Sequence, residues 1–251
     1  SKVFGGGIEF SVKGTRKSGD LNTSLGNTKN TAEMVVSWLR MHGIERWRLI
    51  CLGDDNMCLI HYADLIGAFG SYEAAQESII AWATRLGYIL KAMVTTNLTK
   101  GEYCSARFYP TRSGYVVGKK PGRTLSKIGV FLEKGNPKTD YAGLLQGVIQ
   151  SYKPTGMHVP FLRVYLEVLE RILTGVKPIY EYSDYSMDNA DCPIYECDDL
   201  TWAAFTEVYG YGPLDEEAYR LELEENIAIL GVCHIAPYPW LYDMFKVDFE
   251  L

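Results

Sequence analysis

The chain has 251 residues, 47% of them hydrophobic and 22% charged, a balance that excludes a disordered chain and allows one or two globular domains. Its net charge of −6 is unevenly spread: residues 1–150 carry 19 Lys+Arg against 12 Asp+Glu, and residues 151–251 carry 6 against 19. The basic half suits a polyanionic partner and the acidic half a solvated surface, and charge alone leaves both readings open. No apolar run reaches the roughly 18 residues a membrane-spanning helix needs, so no transmembrane segment is expected. The opening SKVFGGGIEF lacks the continuous apolar stretch of a signal peptide. Cysteines 51, 58, 104, 192, 197 and 233 form no Cys-x-x-Cys pair. They are read as reduced thiols in a reducing compartment, with no structural zinc.

In chain order, Gly5-Gly6-Gly7 is a loop. A helix is predicted from Asp20 or Asn22 to about Arg40, with Leu25, Ala32, Val35, Val36 and Leu39 at helical spacing and Gly43 just past its end. Two strand-like runs follow, Trp47–Leu52 and Met57–Tyr62, separated by Gly-Asp-Asp-Asn, which is a hairpin signal. Ser71 caps a helix from Tyr72 to Leu86. Tyr88–Val94 reads as a strand, Asn97–Gly101 as a turn and Tyr103–Tyr109 as another strand. After Pro110 the character changes. A basic turn, Lys119–Arg123, precedes helical patterns at Tyr141–Tyr152, Pro160–Thr174, Leu200–Tyr209 and Asp215–Gly231, with an acidic, Tyr-rich loop at Tyr180–Leu200. A mixed α/β unit, residues 1–112, is expected to precede a mainly helical one, residues 113–251.

Two places carry chemistry. The first is Gly53-Asp54-Asp55 at the hairpin tip. Adjacent carboxylates on a regular strand point to opposite faces, but at a tight turn they can converge, and Gly53 permits the turn. Close carboxylates repel unless cations lie between them, and hard oxygen donors suit Mg²⁺ or Mn²⁺, the ions of phosphoryl transfer. Gly-Asp-Asp arises by chance in roughly one chain of this size in twenty, so the tripeptide alone carries little. The second is the run Lys13–Asn27, in which Ser18-Gly19 forms a loop ahead of the helix and Thr23 and Asn27 share one helical face that Thr31 continues. The opposite face is apolar and is expected to pack on the sheet. An amide and a hydroxyl on a wet face can bond a ribose 2′-hydroxyl, and Arg16 and Lys17 can meet phosphates. Helix capping explains positions 18–22 equally well, but not Thr23 and Asn27.

Ser-Gly-x3-Thr-x3-Asn followed by a Gly-Asp-Asp hairpin resembles motifs B and C of positive-strand RNA virus RNA-dependent RNA polymerases, with the wording SGDLNTSLGN most like the tombusvirus- and nodavirus-like branch. The resemblance implies an α+β fold, the C-terminal portion of a polymerase palm (an antiparallel sheet with flanking helices) plus a mainly helical thumb. It implies nucleotide contacts from Ser18, Gly19, Thr23 and Asn27. Asp54 would be the direct ligand of Mg²⁺ (or Mn²⁺), supported by Asp55. The helix at 72–86 and the following strand resemble motif D, which often supplies a lysine that protonates the leaving pyrophosphate; Lys91 is the choice and Lys100 the rival. Glu102–Phe108 resembles the primer-gripping motif E and contributes Cys104, Ser105 and Arg107 as RNA contacts. Lys119, Lys120 and Arg123 would touch product RNA from the thumb. The implied partners are RNA template and product, nucleoside triphosphates and an N-terminal polymerase part, in membrane-associated replication complexes of the host cytoplasm.

The family also needs motif A, an Asp-bearing segment several tens of residues before motif B, and only 17 residues precede Ser18. The chain is therefore expected to be a fragment, or one piece of a split polymerase, inactive by itself. Asp243 and Asp248 have motif A separation but stand in an order that no permutation explains. Two other readings stay open: a non-catalytic RNA-binding or assembly module, and a reverse transcriptase. Against the latter, Leu52-Gly53 precedes the Asp pair where an aromatic residue is usual.

Overall fold

The protein is described here by a computed structural model that covers residues 2–5, 8–11, 22–128, 140–180, 192–230 and 239–249. It combines helices with small antiparallel sheets, as an α+β chain should. It divides into two compact units, Ser1–Cys104 and Ser105–Leu251. The boundary expected at 112 falls instead in the turn of a hairpin, β6 (Ala106–Thr111) and β7 (Gly114–Lys119), which belongs whole to the second unit.

The first unit opens with the hairpin β1 (Lys2–Gly5) and β2 (Ile8–Ser11). Helix α1 (Thr23–Met41) follows, and Gly43 leaves it at φ +66°, the left-handed conformation expected just past a helix end. Next come the hairpin β3 (Trp47–Leu52) and β4 (Asp55–Ile60), helix α2 (Tyr62–Phe69), helix α3 (Tyr72–Arg85), a 3₁₀ turn at Leu98–Lys100 and the short strand β5 (Glu102–Tyr103). The Ser71 hydroxyl caps α3 by accepting from the Ala74 N–H at 3.1 Å. The core of this unit joins Met34, Val35, Trp38 and Leu39 of α1 to Ile79 and Ala83 of α3, with Trp47, Leu49, Cys58 and Ile60 of the hairpin packed on them. Leu25, expected on the apolar face, is instead 76% exposed, so the buried stripe of α1 starts only at Met34. Tyr88–Val94 alternates as a strand should, with Leu90 and Ala92 against the core and Ile89 and Lys91 outward, yet forms no ladder among the described residues. Alternation reports one buried side, and a ladder also requires a neighbouring strand. The strand read at Tyr103–Tyr109 is interrupted: Cys104 (φ 50°) and Ser105 (φ 60°) turn the chain between β5 and β6.

The second unit continues from β7 into α4 (Pro121–Leu125), α5 (Tyr141–Gly156), α6 (Leu162–Ile172), α7 (Asp199–Tyr209), α8 (Pro213–Leu230) and α9 (Pro239–Phe249). The expected basic turn at 119–123 is thus the end of a strand and the start of a helix, with Pro121 at a position where a missing N–H costs nothing. The core centres on Phe161, fully buried and ringed by Phe205, Tyr211, Tyr219 and Trp240 with ring centroids 5.5–6.5 Å away. Phe161 holds φ +64°, rare for a bulky residue. Its N–H donates to the Glu216 carboxylate at 2.8 Å, which pins it.

Glu216 begins a ladder between α6 and α8. Arg163 bonds Glu216, Glu167 accepts from Arg220 at 2.6 Å and Arg171 donates to Glu224 at 2.6 Å, each pair 53 residues apart in sequence. Positive, negative and positive groups four residues apart on α6 meet the opposite signs on α8. A shift by one turn would oppose like charges, so the ladder fixes the parallel register of the two helices. At the end of the chain, Gly122 lets α9 approach: a Cβ there would lie 2.4 Å from the Met244 carbonyl carbon. Asp248 of α9 is buried and gathers the neighbourhood. It accepts from the Tyr209 hydroxyl at 2.7 Å and the Arg123 N–H at 3.0 Å, while its own carbonyl accepts from Lys120 Nζ at 3.0 Å.

His158 is fully buried beside Tyr109, with ring centroids 5.9 Å apart, and burial depresses its pKa to about 4. A depressed folded pKa means that the unfolded chain takes up the proton first. The stabilisation is present above the ordinary value of about 6.5 and is lost as the pH falls toward 4, up to roughly 3 kcal/mol for this group. Chemical denaturation of the 251-residue chain at pH 7 and at pH 4 should show this loss, and His158→Phe should remove most of it. Equal pH slopes in the two proteins would exclude His158 as the source.

Candidate active site

The hairpin β3–β4 is closed by a two-residue turn, with Leu52 paired to Asp55 across its mouth. Gly53 takes φ +66° and Asp54 does not take positive φ, the pattern of a type II′ turn with glycine first. The second strand therefore starts two residues before the expected Met57. Asp54 occupies the turn tip, Asp55 opens β4, and both are exposed. The hairpin's inner face, Trp47, Leu49, Cys58 and Ile60, packs on the core of the first unit. Ile50, Leu52 and Leu59 of the outer face are 47–54% exposed.

Helix α1 holds the turn by two hydroxyls. Thr28 Oγ1 accepts from the Gly53 N–H at 2.7 Å and donates to the Ser24 carbonyl at 2.8 Å. Thr31 Oγ1 donates to the Gly53 carbonyl at 3.0 Å. The Cys51 thiol donates to the Thr28 carbonyl at 3.5 Å, a normal distance for sulfur. Thr28, Thr31, Val35 and Trp38, spaced three, four and three residues, follow one face of α1. The polar and apolar residues are therefore stacked along the same face, with the polar turns over the hairpin tip, and do not occupy opposite faces as the sequence reading had it. Thr28 was missed, although its spacing to Val35 and Trp38 was the available signal. Thr23 and Asn27 lie at the N-terminal end of the same helix, both half-exposed. Ser18, Gly19, Arg16 and Lys17 lie outside the described residues.

Tyr103 adds a further wall. Its hydroxyl titrates above the ordinary value chiefly through burial, with the Cys104 and Cys51 thiols and the Asp55 carboxylate adding to the effect. The motif E-like residues Tyr103 and Cys104 thus border the turn that carries the acidic pair. Burial, with Cys104 adding, also raises the Cys51 thiol. The carboxylate pair offers the hard oxygen donors that Mg²⁺ or Mn²⁺ prefers. Among the described residues it is joined by no third carboxylate, His or Cys in a metal-sized cluster.

The family model described as viral RNA dependent RNA polymerase matches residues 3–190. The chain belongs to this family. RNA-directed RNA polymerases of tombusvirus-like plant viruses are similar to it. That of Tobacco necrosis virus (strain A) is 27% identical over 171 residues, 68% of this chain and 22% of the relative. That of Oat chlorotic stunt virus is 26% identical over 146 residues, covering 57% and 18%, and that of Cymbidium ringspot virus 29% over 123 residues, covering 49% and 14%. The chain therefore spans about a fifth or less of the length of these polymerases.

The remaining candidate residues have different surroundings. Lys91 is exposed on the extended segment 88–94, and Lys100 is exposed in the 3₁₀ turn. In the second unit Ser105 and Lys119 are half-exposed. Arg123 is half-exposed too, its guanidinium 5.0 Å from the Phe249 ring. Arg107 and Lys120 were expected on RNA, but they are 7% and 3% exposed. Arg107 donates to Tyr209 at 3.2 Å and lies 4.0 Å from Asp248; Lys120 bonds the Asp248 carbonyl. Charges enclosed this way balance a buried carboxylate and are not presented to a polyanion. Asp248, set aside in the sequence, is the group they serve, and burial raises its pKa against the opposing pull of Tyr209, Arg123, Arg107 and Lys120. Asp243 is exposed and bonds Tyr211 at 2.7 Å.

Arg107→Ala should destabilise the 251-residue chain by about 3–5 kcal/mol, because it leaves Asp248 with less compensation. Denaturant titration measures this. Unchanged stability together with weakened RNA binding would show that Arg107 is an RNA contact after all.

Proposed function

We propose that a polymerase containing this chain extends RNA on an RNA template. The RNA 3′-oxygen attacks the α-phosphorus of a nucleoside triphosphate and loses its proton, a new phosphodiester bond forms, and the bond to pyrophosphate breaks. The observation that carries the reading is the carboxylate pair on a glycine turn that is bonded to the helix bearing Thr23 and Asn27. Family membership and the polymerase names of the relatives support it.

In this reading Asp54 and Asp55 hold Mg²⁺ (or Mn²⁺), which when bound offsets negative charge on the attacking and leaving oxygens. The protein's own share is placement. The turn presents Asp54 at its tip and Asp55 beside it. Thr23 and Asn27 would bond the ribose hydroxyls that distinguish RNA from DNA. Lys91, or Lys100, would give a proton to the departing pyrophosphate, and both are solvent-accessible for that role. Lys119 and Arg123 remain the candidates for the product backbone, since Arg107 and Lys120 are enclosed. We place the reaction in viral replication complexes at host cytoplasmic membranes, on the support of the family alone; no helix among the described residues is long and apolar enough to cross a membrane.

Primer extension by the polymerase that contains this chain, compared with its Asp54→Ala variant, tests the reading. Loss of a metal-holding carboxylate should lower the rate by 10³-fold or more, an expectation on the order of 4 kcal/mol of transition-state stabilisation. Activity within tenfold of the parent would remove Asp54 from the mechanism. The isolated chain, with two carboxylates and no third ligand clustered among the described residues, is expected to bind RNA without extending it.

A further inference from the structure

We propose that Thr28 and Thr31 are positioning residues of the polymerase site, which hold the carboxylate turn to helix α1 through both backbone groups of Gly53. The inference rests on the polymerase function proposed above.

A hydroxyl has one proton and can accept besides. The Thr28 proton goes to the Ser24 carbonyl at 2.8 Å, which leaves the oxygen to accept the Gly53 N–H at 2.7 Å. The Thr31 proton goes to the Gly53 carbonyl at 3.0 Å. Gly53 is thus gripped at its N–H by one hydroxyl and at its C=O by another, from adjacent turns of one helix. The next residue in the chain is Asp54. Two bonds at opposite ends of the preceding residue fix where the turn sits on the helix and how the following peptide leaves it.

Little else among the described residues can do this. Gly53 has no side chain to anchor, and no atom lies within 4 Å of where its Cβ would be. Asp54 and Asp55 are exposed. A two-stranded hairpin is marginal by itself and owes its rigidity to what it packs against. The packing here grips the strands through Trp47, Leu49, Cys58 and Ile60, and leaves the Gly53 N–H and C=O to the two threonines, with the Cys51 thiol bonding the Thr28 carbonyl beside them. Thr28 also directly follows Asn27. A shift of α1 driven at the ribose-facing residues would therefore be passed to the carboxylates by the next residue in the chain. Displacing a reacting group by about 1 Å costs on the order of a hundredfold in rate, so a hydroxyl that touches neither substrate nor metal can matter for catalysis.

The test pairs isosteric removal with conservative rescue. In the 251-residue chain, amide hydrogen exchange is read at Gly53 and at core amides such as Leu39 and Ile79. In the polymerase containing the chain, kcat and the KM for nucleoside triphosphate are read in primer extension. Thr28→Val keeps the volume and removes the hydroxyl. It should speed exchange at Gly53 by about tenfold or more without changing the core amides, and lower kcat about tenfold to a hundredfold with KM altered less than threefold. Thr28→Ser should recover both readings. Thr31→Val and Thr31→Ser form a second pair, acting on the Gly53 carbonyl, that decides the matter if Thr28→Val fails to fold. Unchanged Gly53 exchange and kcat in the valine variants would overturn the proposal. So would a serine variant as impaired as its valine counterpart, or faster exchange throughout the core. Asp54→Ala in the same assay separates the two ideas. If it is inactive while the valine variants are fully active, only the positioning role falls; if it is active, the polymerase reading itself falls.

Discussion

A carboxylate pair at a hairpin tip is placed only as well as the turn beneath it, and here that turn depends on the two backbone groups of Gly53. Glycine is required for the conformation, since φ +66° at the first turn position is costly for a residue with a Cβ. The same absence of a side chain deprives the turn of any packing of its own. Thr28 and Thr31 answer both facts by addressing the backbone. The rest of the first unit can be understood as the support for those two hydroxyls. Met34, Val35, Trp38 and Leu39 bury the later turns of α1 against α3 and the hairpin strands. Part-buried ring N–H groups tie the layers laterally: Trp38 donates to Ser78 at 3.0 Å and Trp82 to the Met34 carbonyl at 3.1 Å.

The second unit solves a different problem, the burial of charge. Asp248 and Glu216 are 2% and 4% exposed. A buried carboxylate is tolerable only when its oxygens are bonded and a cation is near. Glu216 accepts from the Phe161 N–H and from Arg163 at one end of the ladder joining α6 to α8. Asp248 collects a hydroxyl, a backbone N–H and two nearby cations. Such sites add little net stability compared with apolar packing, but they penalise every other register, because a shifted helix leaves a charge enclosed and unpaired. The acidic excess of residues 151–251 is thus partly structural, and only part of it forms the solvated surface that a count of charges suggests.

The hairpin, its glycine turn and helices α1, α3, α5, α6, α7 and α8 were legible in the sequence because each has a local signal: a turn dipeptide between apolar runs, a capping serine, or apolar residues at helical period. What was not legible depended on partners distant in sequence. Tyr88–Val94 has the alternation of a strand and lacks the neighbour that would make it one. Arg107 and Lys120 read as surface cations until the chain brings Asp248 to them from more than a hundred residues away. Helix α9 was overlooked: PWLYDMFKVDF has a proline at its start and aromatic residues all round, and its burial is made possible by Gly122 in another helix. Thr28 was passed over for the opposite reason. A threonine next to Asn27 reads as part of a polar helix end, whereas its spacing to Val35, like that of Asn27 to Thr31 and Trp38, follows the packed face.

That juxtaposition bears on how one helix can serve two tasks. Asn27 and Thr28 are consecutive, about 100° apart around α1, with Thr28 on the turn and Asn27 half-exposed beside it. Both then move as the helix moves. In the proposed reaction, a site with its sugar-reading and carboxylate-bearing elements separate would have to align two independent bodies. Here the carboxylate turn is hydrogen-bonded to the helix that carries Thr23 and Asn27, so in the proposed function one helix would place both. The cost is sensitivity: removal of either hydroxyl would leave one backbone group of Gly53 unheld, with neither strand of the hairpin disturbed.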